Sequence, residues 1–191
     1  MKRALIRRIK CLSLIVLVML VVHGINSLLG GGLTYFGIIP GSTAHWWHIF
    51  SAPFIHGDWA HLTNNLLALL IFGSLCLAQS VRFFVFSSVF IIAVSGGLIW
   101  LFGREAIHIG ASGWIFGLWS LSIALAWYDR RLINILIACL VVFFYGGMIY
   151  GVLPSDPKIS FEAHLFGAFA GVVWAFLYSV HLKRYRGLFR N

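Results

Sequence analysis

Charge is what this sequence has least of: 10% of its 191 residues are Asp, Glu, Lys or Arg, and only five are acidic. Soluble domains carry about 25% charge on about 45–50% apolar residues, whereas this chain is 61% hydrophobic. A water-facing fold could not hide that much apolar surface, and disorder, collagen and coiled coil are excluded by the same composition. Three cysteines, Cys11, Cys76 and Cys139, are an odd set in or beside apolar runs. They offer neither a disulfide framework nor metal-ligand spacing. There is no H-E-x-x-H pattern and no pair of acids inside an apolar run, so neither a zincin nor an intramembrane carboxylate dyad is expected, and no cofactor is expected. The lone Tyr128-Asp129 has no partner aspartate motif.

What the chain does have is six charge-free segments, approximately 11–30, 59–79, 83–103, 106–128, 132–153 and 163–182. About 20 helical residues cross the ~30 Å hydrocarbon core, and helices satisfy their own backbone groups in lipid. The expected fold class is therefore all-α, a polytopic bundle of six transmembrane helices forming one domain over 1–191. The 106–128 stretch is expected to include some lead-in loop. The first span, with no A-x-A-like cleavage site after it, reads as retained rather than as a signal peptide.

The net charge of +9 does not point to nucleic acid, because the basic residues flank the spans. Lys2, Arg3, Arg7, Arg8 and Lys10 precede the first, and Lys183, Arg184, Arg186 and Arg190 follow the last. With Arg82, Arg130 and Arg131 they put twelve positives on one side, against Arg104 and Lys158 on the other. That asymmetry predicts a multi-pass membrane protein with both termini cytoplasmic, its basic clusters contacting anionic lipid. The 28-residue outer link from Gly31 to Asp58 has no Lys or Arg, but it holds Tyr35, Phe36, Trp46, Trp47, Phe50 and Phe54. It should lie at the lipid interface. A second outer link, Leu153–Glu162, is broken by Pro154 and Pro157 and is a candidate gate.

Polar residues at membrane depth are functional candidates by default. His23 and Asn26 are expected to bond a neighbouring helix; His45, His48 and His181 lie in loops or at an end, and His108 should be solvated in its connection. Three positions survive. The second span opens with His61-Leu62-Thr63-Asn64-Asn65, the fourth with Gly110-Ala111-Ser112-Gly113, and the sixth with Ala163-His164-Leu165-Phe166-Gly167. All three begin at the outer side. His61 and Asn65 share one helix face. Gly113 and Gly117, like Gly167 and Gly171, form G-x-x-x-G stripes that let helix backbones approach closely. Packing those stripes together would bring Ser112 and His164 within reach, the geometry that activates a serine.

Taken in order, Gly110-x-Ser112-Gly113, Ala163-His164-x-x-Gly167-x-x-x-Gly171 and His61-x-x-x-Asn65 resemble the rhomboid intramembrane serine proteases, in a short form of the bacterial GlpG type. The resemblance covers essentially the whole chain. It implies Ser112 as nucleophile, His164 as general base, and Asn65 with His61 as donors near the oxyanion. It also implies a structural role for His56, transmembrane-protein substrates, and a place in the bacterial inner (plasma) membrane with the site near the outer face. Trp47-His48 stands where the family commonly has Trp-Arg, and Phe116 where it often has Tyr. Glu162, two residues before His164, should point away from it on a helix, so a Ser-His dyad is expected, with His164 packed against Phe116. Two other readings remain at this level: a non-catalytic rhomboid-fold protein that binds or moves membrane clients, and a small transporter. Neither the natural substrate nor the oligomeric state is written in the sequence.

Overall fold

The structure is a computed structural model that describes residues 2–154 and 159–188, with side chains described as far as 181. Asp156, Pro157, Lys158 and Arg190, and the side chains of Lys183, Arg184 and Arg186, lie outside the described residues. Among the described residues there are seven α-helices: α1 (Lys2–Leu28), α2 (His48–Ser51), α3 (Trp59–Gln79), α4 (Val81–Phe102), α5 (Ser112–Tyr128), α6 (Leu132–Tyr145) and α7 (Phe161–Leu188). Five of them are long and apolar enough to cross a membrane: α1, α3, α4, α7, and α6 with its 3-10 continuation to Val152. The remaining long helix, α5, has 17 residues, about 25 Å at 1.5 Å per residue. It is the heart of the bundle. Eleven of its residues are buried, and α3, α4, α6 and α7 pack around it.

Local chemistry sets where these helices begin. The Asp58 carboxylate accepts the His61 backbone N–H at 2.7 Å and caps α3, and the Ser80 hydroxyl accepts from Phe83 at 2.9 Å and caps α4. α5 starts at Ser112 rather than 106, because the preceding residues form an extended strap. Within it His108 pairs its backbone with Ile38 in both directions at 2.9 Å. Gly110 then turns the chain with φ 103°, a conformation open to glycine at little expense.

Between α1 and α3 the long aromatic link folds into short turns clamped onto the bundle. Gly41 N–H reaches the Trp100 carbonyl at 2.8 Å, and the Trp100 indole returns a bond to the Ser42 carbonyl at 2.9 Å. Asn26 holds the link from α1, donating to the His56 carbonyl at 3.1 Å and accepting from Leu33 N–H at 2.9 Å. Its partners are thus loop backbone, not a helix. His23 bonds neither nitrogen and instead meets the Trp59 ring edge-on at 4.5 Å. At the opposite end of the bundle, Asn134 donates to Asp129 and accepts from Gln79, and Arg131 joins Asp129 to Gln79. That network ties the α5–α6 turn to α3.

Outward faces are apolar. Phe143, Leu132, Trp127 and Phe144 are each two-thirds exposed or more. Apolar surface on this scale is suited to lipid and not to water.

Candidate active site

The glycine stripes do what their spacing predicts. A Cβ on Gly167 would collide with the Gly113 carbonyl, and one on Gly171 with the Gly117 carbonyl. A Cβ on Gly113 would lie 3.0 Å from the Ala163 carbonyl. The backbones of α5 and α7 therefore touch directly beside Ser112 and His164. Ser120 fastens the same seam, its hydroxyl 2.8 Å from the Ala168 carbonyl.

Ser112, His164, His61 and Asn65 all line one cavity of about 730 Å³, together with Phe116, Met148, His108 and Ser160. The helix starts bring the four candidates to one end of the bundle. Asn65 is buried, and its amide donates to the His61 carbonyl at 2.8 Å. One N–H of that amide is left for another acceptor. The His61 ring lies against Gly110, where a Cβ would stand 2.6 Å from Nε2, so the glycine leaves room for this imidazole. Asn64 lines the cavity too, but from an exposed position.

The best-defined group is His164. Its Nδ1 is 2.8 Å from the Gly151 carbonyl. A carbonyl only accepts, so Nδ1 carries the hydrogen and Nε2 is left with its lone pair in the neutral ring. The imidazole also lies flat on Phe116, with centroids 4.1 Å apart and planes 5° from parallel. Glu162 turns elsewhere, to Arg104 Nε at 3.5 Å and to the Ser160 hydroxyl at 3.4 Å. No acid is among the described partners of His164.

Sequence reasoning did not find Gly151. A backbone acceptor carries no residue signature, although the glycine itself is required. A Cβ there would lie 2.7 Å from the Phe116 ring and 3.4 Å from His164 Nδ1. His108 corrects an expectation as well. It is buried, 4% exposed, and bonded rather than solvated. His56 is wholly buried and accepts the Ala111 N–H at 3.4 Å. Burial lowers its pKa to about 4, which keeps it neutral and able to accept. His48 is also wholly buried, with Nδ1 donating to the Gly37 carbonyl at 2.9 Å. It sits among Tyr35, Phe36 and Trp47 and so braces the aromatic link from within. Among the described residues no group of three or more His, Cys, Asp or Glu is placed to hold a metal.

Over residues 43–181 the chain matches the family model of the Rhomboid domain. The chain belongs to the rhomboid family. It is 36% identical over 176 residues to an uncharacterised protein of Mycobacterium tuberculosis, covering 87% of this chain and 73% of that one. Rhomboid-like protein 11, chloroplastic, of Arabidopsis thaliana is 34% identical over 149 residues, 70% of this chain and 53% of its own. The Bacillus subtilis protein YdcA, provisionally named a rhomboid protease, is 25% identical over 145 residues, covering 71% and 69%. In this rhomboid the matched region takes in every candidate residue, from His61 to His164.

Proposed function

We propose that this rhomboid is an intramembrane serine endopeptidase that cleaves in or near the transmembrane segments of other membrane proteins with a Ser112–His164 dyad. The observation that carries the reading is the bond from His164 Nδ1 to Gly151. It leaves Nε2 as a base in the cavity that Ser112 also lines.

Ser112 Oγ attacks the substrate carbonyl carbon while His164 Nε2 takes the hydroxyl proton. The carbonyl π pair moves onto oxygen, and the Ser112 backbone N–H with the Asn65 and His61 side chains stabilises that oxyanion. The resulting imidazolium gives its proton to the leaving amine as the C–N bond breaks. Water then attacks the acyl-enzyme with the same imidazole as base, freeing the acid and restoring Ser112. Gly151 fills the orienting role that an aspartate has in a triad, as a neutral acceptor. A substrate helix must unwind locally to offer its carbonyl, which favours small or helix-breaking residues near the cut.

The charge asymmetry supports a plasma-membrane location, with cytoplasmic termini and the cavity opening near the outer face. With the native cysteines replaced, Thr43→Cys should react with an impermeant maleimide from outside the cell and Arg130→Cys should not; the reverse pattern would refute this orientation. For the activity, purified protein in detergent should cleave a single-span model substrate. Ser112→Ala and His164→Ala should show no cleavage above background. A wild-type protein that binds such a substrate without cutting it would instead be a client-binding rhomboid.

A further inference from the structure

A second pair of side chains stands four residues ahead of the proposed dyad. His108 precedes Ser112 by four residues and Ser160 precedes His164 by four, and the two are bonded, Nδ1 to Oγ at 2.7 Å. Each end of this bond is anchored. His108 Nε2 donates to the Arg104 carbonyl at 3.1 Å, and its backbone pairs with Ile38. The Ser160 hydroxyl caps α7 by accepting the Ala163 N–H at 3.2 Å, and it lies 3.4 Å from the Glu162 carboxylate. Arg104 runs parallel to the bond, donating from Nη2 to the Ile159 carbonyl at 2.7 Å.

The hydrogen count shows that the contact is robust. With Ser160 donating to Glu162 and accepting from Ala163, its second lone pair takes an Nδ1–H, and His108 is an imidazolium. With His108 neutral, Nε2 keeps its hydrogen for Arg104, and Ser160 donates to Nδ1 instead. Only the 3.4 Å contact to Glu162 is given up, and the His108–Ser160 bond persists in both states.

Its position gives it a mechanical role. α5 and α7 are pinned to each other where Gly113 meets Gly167. Ser112 and His164 stand at the very start of that seam, beside the contact of Gly113 with Ala163. The seam holds the two helices from Gly113 inward, and the His108–Ser160 bond adds an attachment between the segments that lead into Ser112 and His164. We propose that the His108–Ser160 hydrogen bond is a positioning bridge that fixes the separation of Ser112 and His164 during turnover. This rests on the proteolytic reading above.

The test compares His108→Leu, Ser160→Ala, the double variant, His108→Asn and Ser160→Thr with wild type in detergent, reading kcat, KM and thermal unfolding. Wild type must cleave the model substrate; failure there would fall on the proteolytic reading, not on the bridge. The bridge predicts that His108→Leu and Ser160→Ala each lower kcat roughly tenfold to a hundredfold with KM within about twofold, since small misplacements of reacting groups carry losses of this size. The double variant should be no worse than the worse single one. His108→Asn and Ser160→Thr, which keep a polar partner, should recover most of the loss. Unchanged kcat in the folded single variants would overturn the bridge. A rise in KM at constant kcat would also overturn it, by making His108 or Ser160 a substrate contact, as would a loss of activity explained by unfolding. Should His108→Leu fail to fold, Ser160→Ala and its threonine counterpart decide the question.

Discussion

The imidazole of His164 lies flat on the ring of Phe116, 4.1 Å from centroid to centroid and 5° from parallel. Phe116 is one turn below Ser112 on α5, so the helix that presents the serine also supplies the platform for the proposed base. The Gly151 carbonyl holds the ring edge and Phe116 holds its face. Aromatic pairs are worth ~0.5–1.5 kcal/mol, which is roughly two- to tenfold in rate if lost only from the reactive arrangement. Phe116→Leu should lower kcat by about that factor, and Phe116→Tyr, which keeps the ring, should stay near wild type. Equal activity in all three proteins would mean that the stack does not orient His164.

Gly167 tests the seam. Its missing Cβ is where the Gly113 carbonyl sits, whereas a Cβ on Gly97 of α4 would meet nothing within 4 Å. Overpacking a tight contact costs about 1–3 kcal/mol. Gly167→Ala should therefore lower the unfolding temperature in detergent and abolish activity, with Gly97→Ala unchanged in both. A neutral Gly167→Ala would show that the helices do not approach this closely.

Asn65 and His61 make different demands from Asn64. Asn65 is buried with one amide N–H already committed to its own helix, and Asn64 is exposed. Loss of one oxyanion donor typically lowers kcat ~10²–10³-fold. Asn65→Ala and His61→Ala should fall toward that range with KM little changed, while Asn64→Ala should lose much less. If Asn64→Ala is as damaging as Asn65→Ala, the donor has been assigned to the wrong neighbour.

If His164 is the base, acidification should stop cleavage by protonating it. His56 titrates at about 4 because it is buried. The Asp58 carboxyl is held below the usual carboxylate range by the His61 backbone N–H it accepts. A depressed carboxylate contributes its stability above its unfolded pKa and loses it only as pH falls through the lower folded value. The α3 cap therefore survives acidification to below the ordinary carboxylate range. Profiles of kcat and of circular dichroism against pH should separate, with activity falling first. Glu162→Gln should keep most of its kcat at neutral pH, because that carboxylate serves Arg104 and Ser160. A ~10³-fold loss in this variant would reveal a third catalytic member.

How much of this was legible in the sequence depended on the kind of signal. Helices α3 and α4 were readable because each is a charge-free apolar run long enough to span, whereas their caps, Asp58 and Ser80, emerged only from the structure. The seam was readable because Gly113, Gly117, Gly167 and Gly171 leave a period of four. The lead-in loop expected within 106–128 is present, but its end could not be read, since Ile107 and Ile109 are apolar and yet belong to a strap whose backbone pairs with Ile38. His108 looked like a solvated loop residue because nothing in the sequence says that Ser160 lies opposite it. His23 looked like a hydrogen-bonding residue, but at its depth the nearest surface is the Trp59 ring. Gly151 was invisible for the most general reason: its contribution is a main-chain oxygen.

The central claim is that His164 activates Ser112 and no other residue. Treating the purified protein with a fluorophosphonate and mapping the adduct by mass spectrometry tests it most directly. One modified residue, Ser112, is expected, with labelling abolished in His164→Ala and kept in Glu162→Gln. An adduct on another residue, labelling that persists without His164, or an unreactive Ser112 in folded wild-type protein would contradict it.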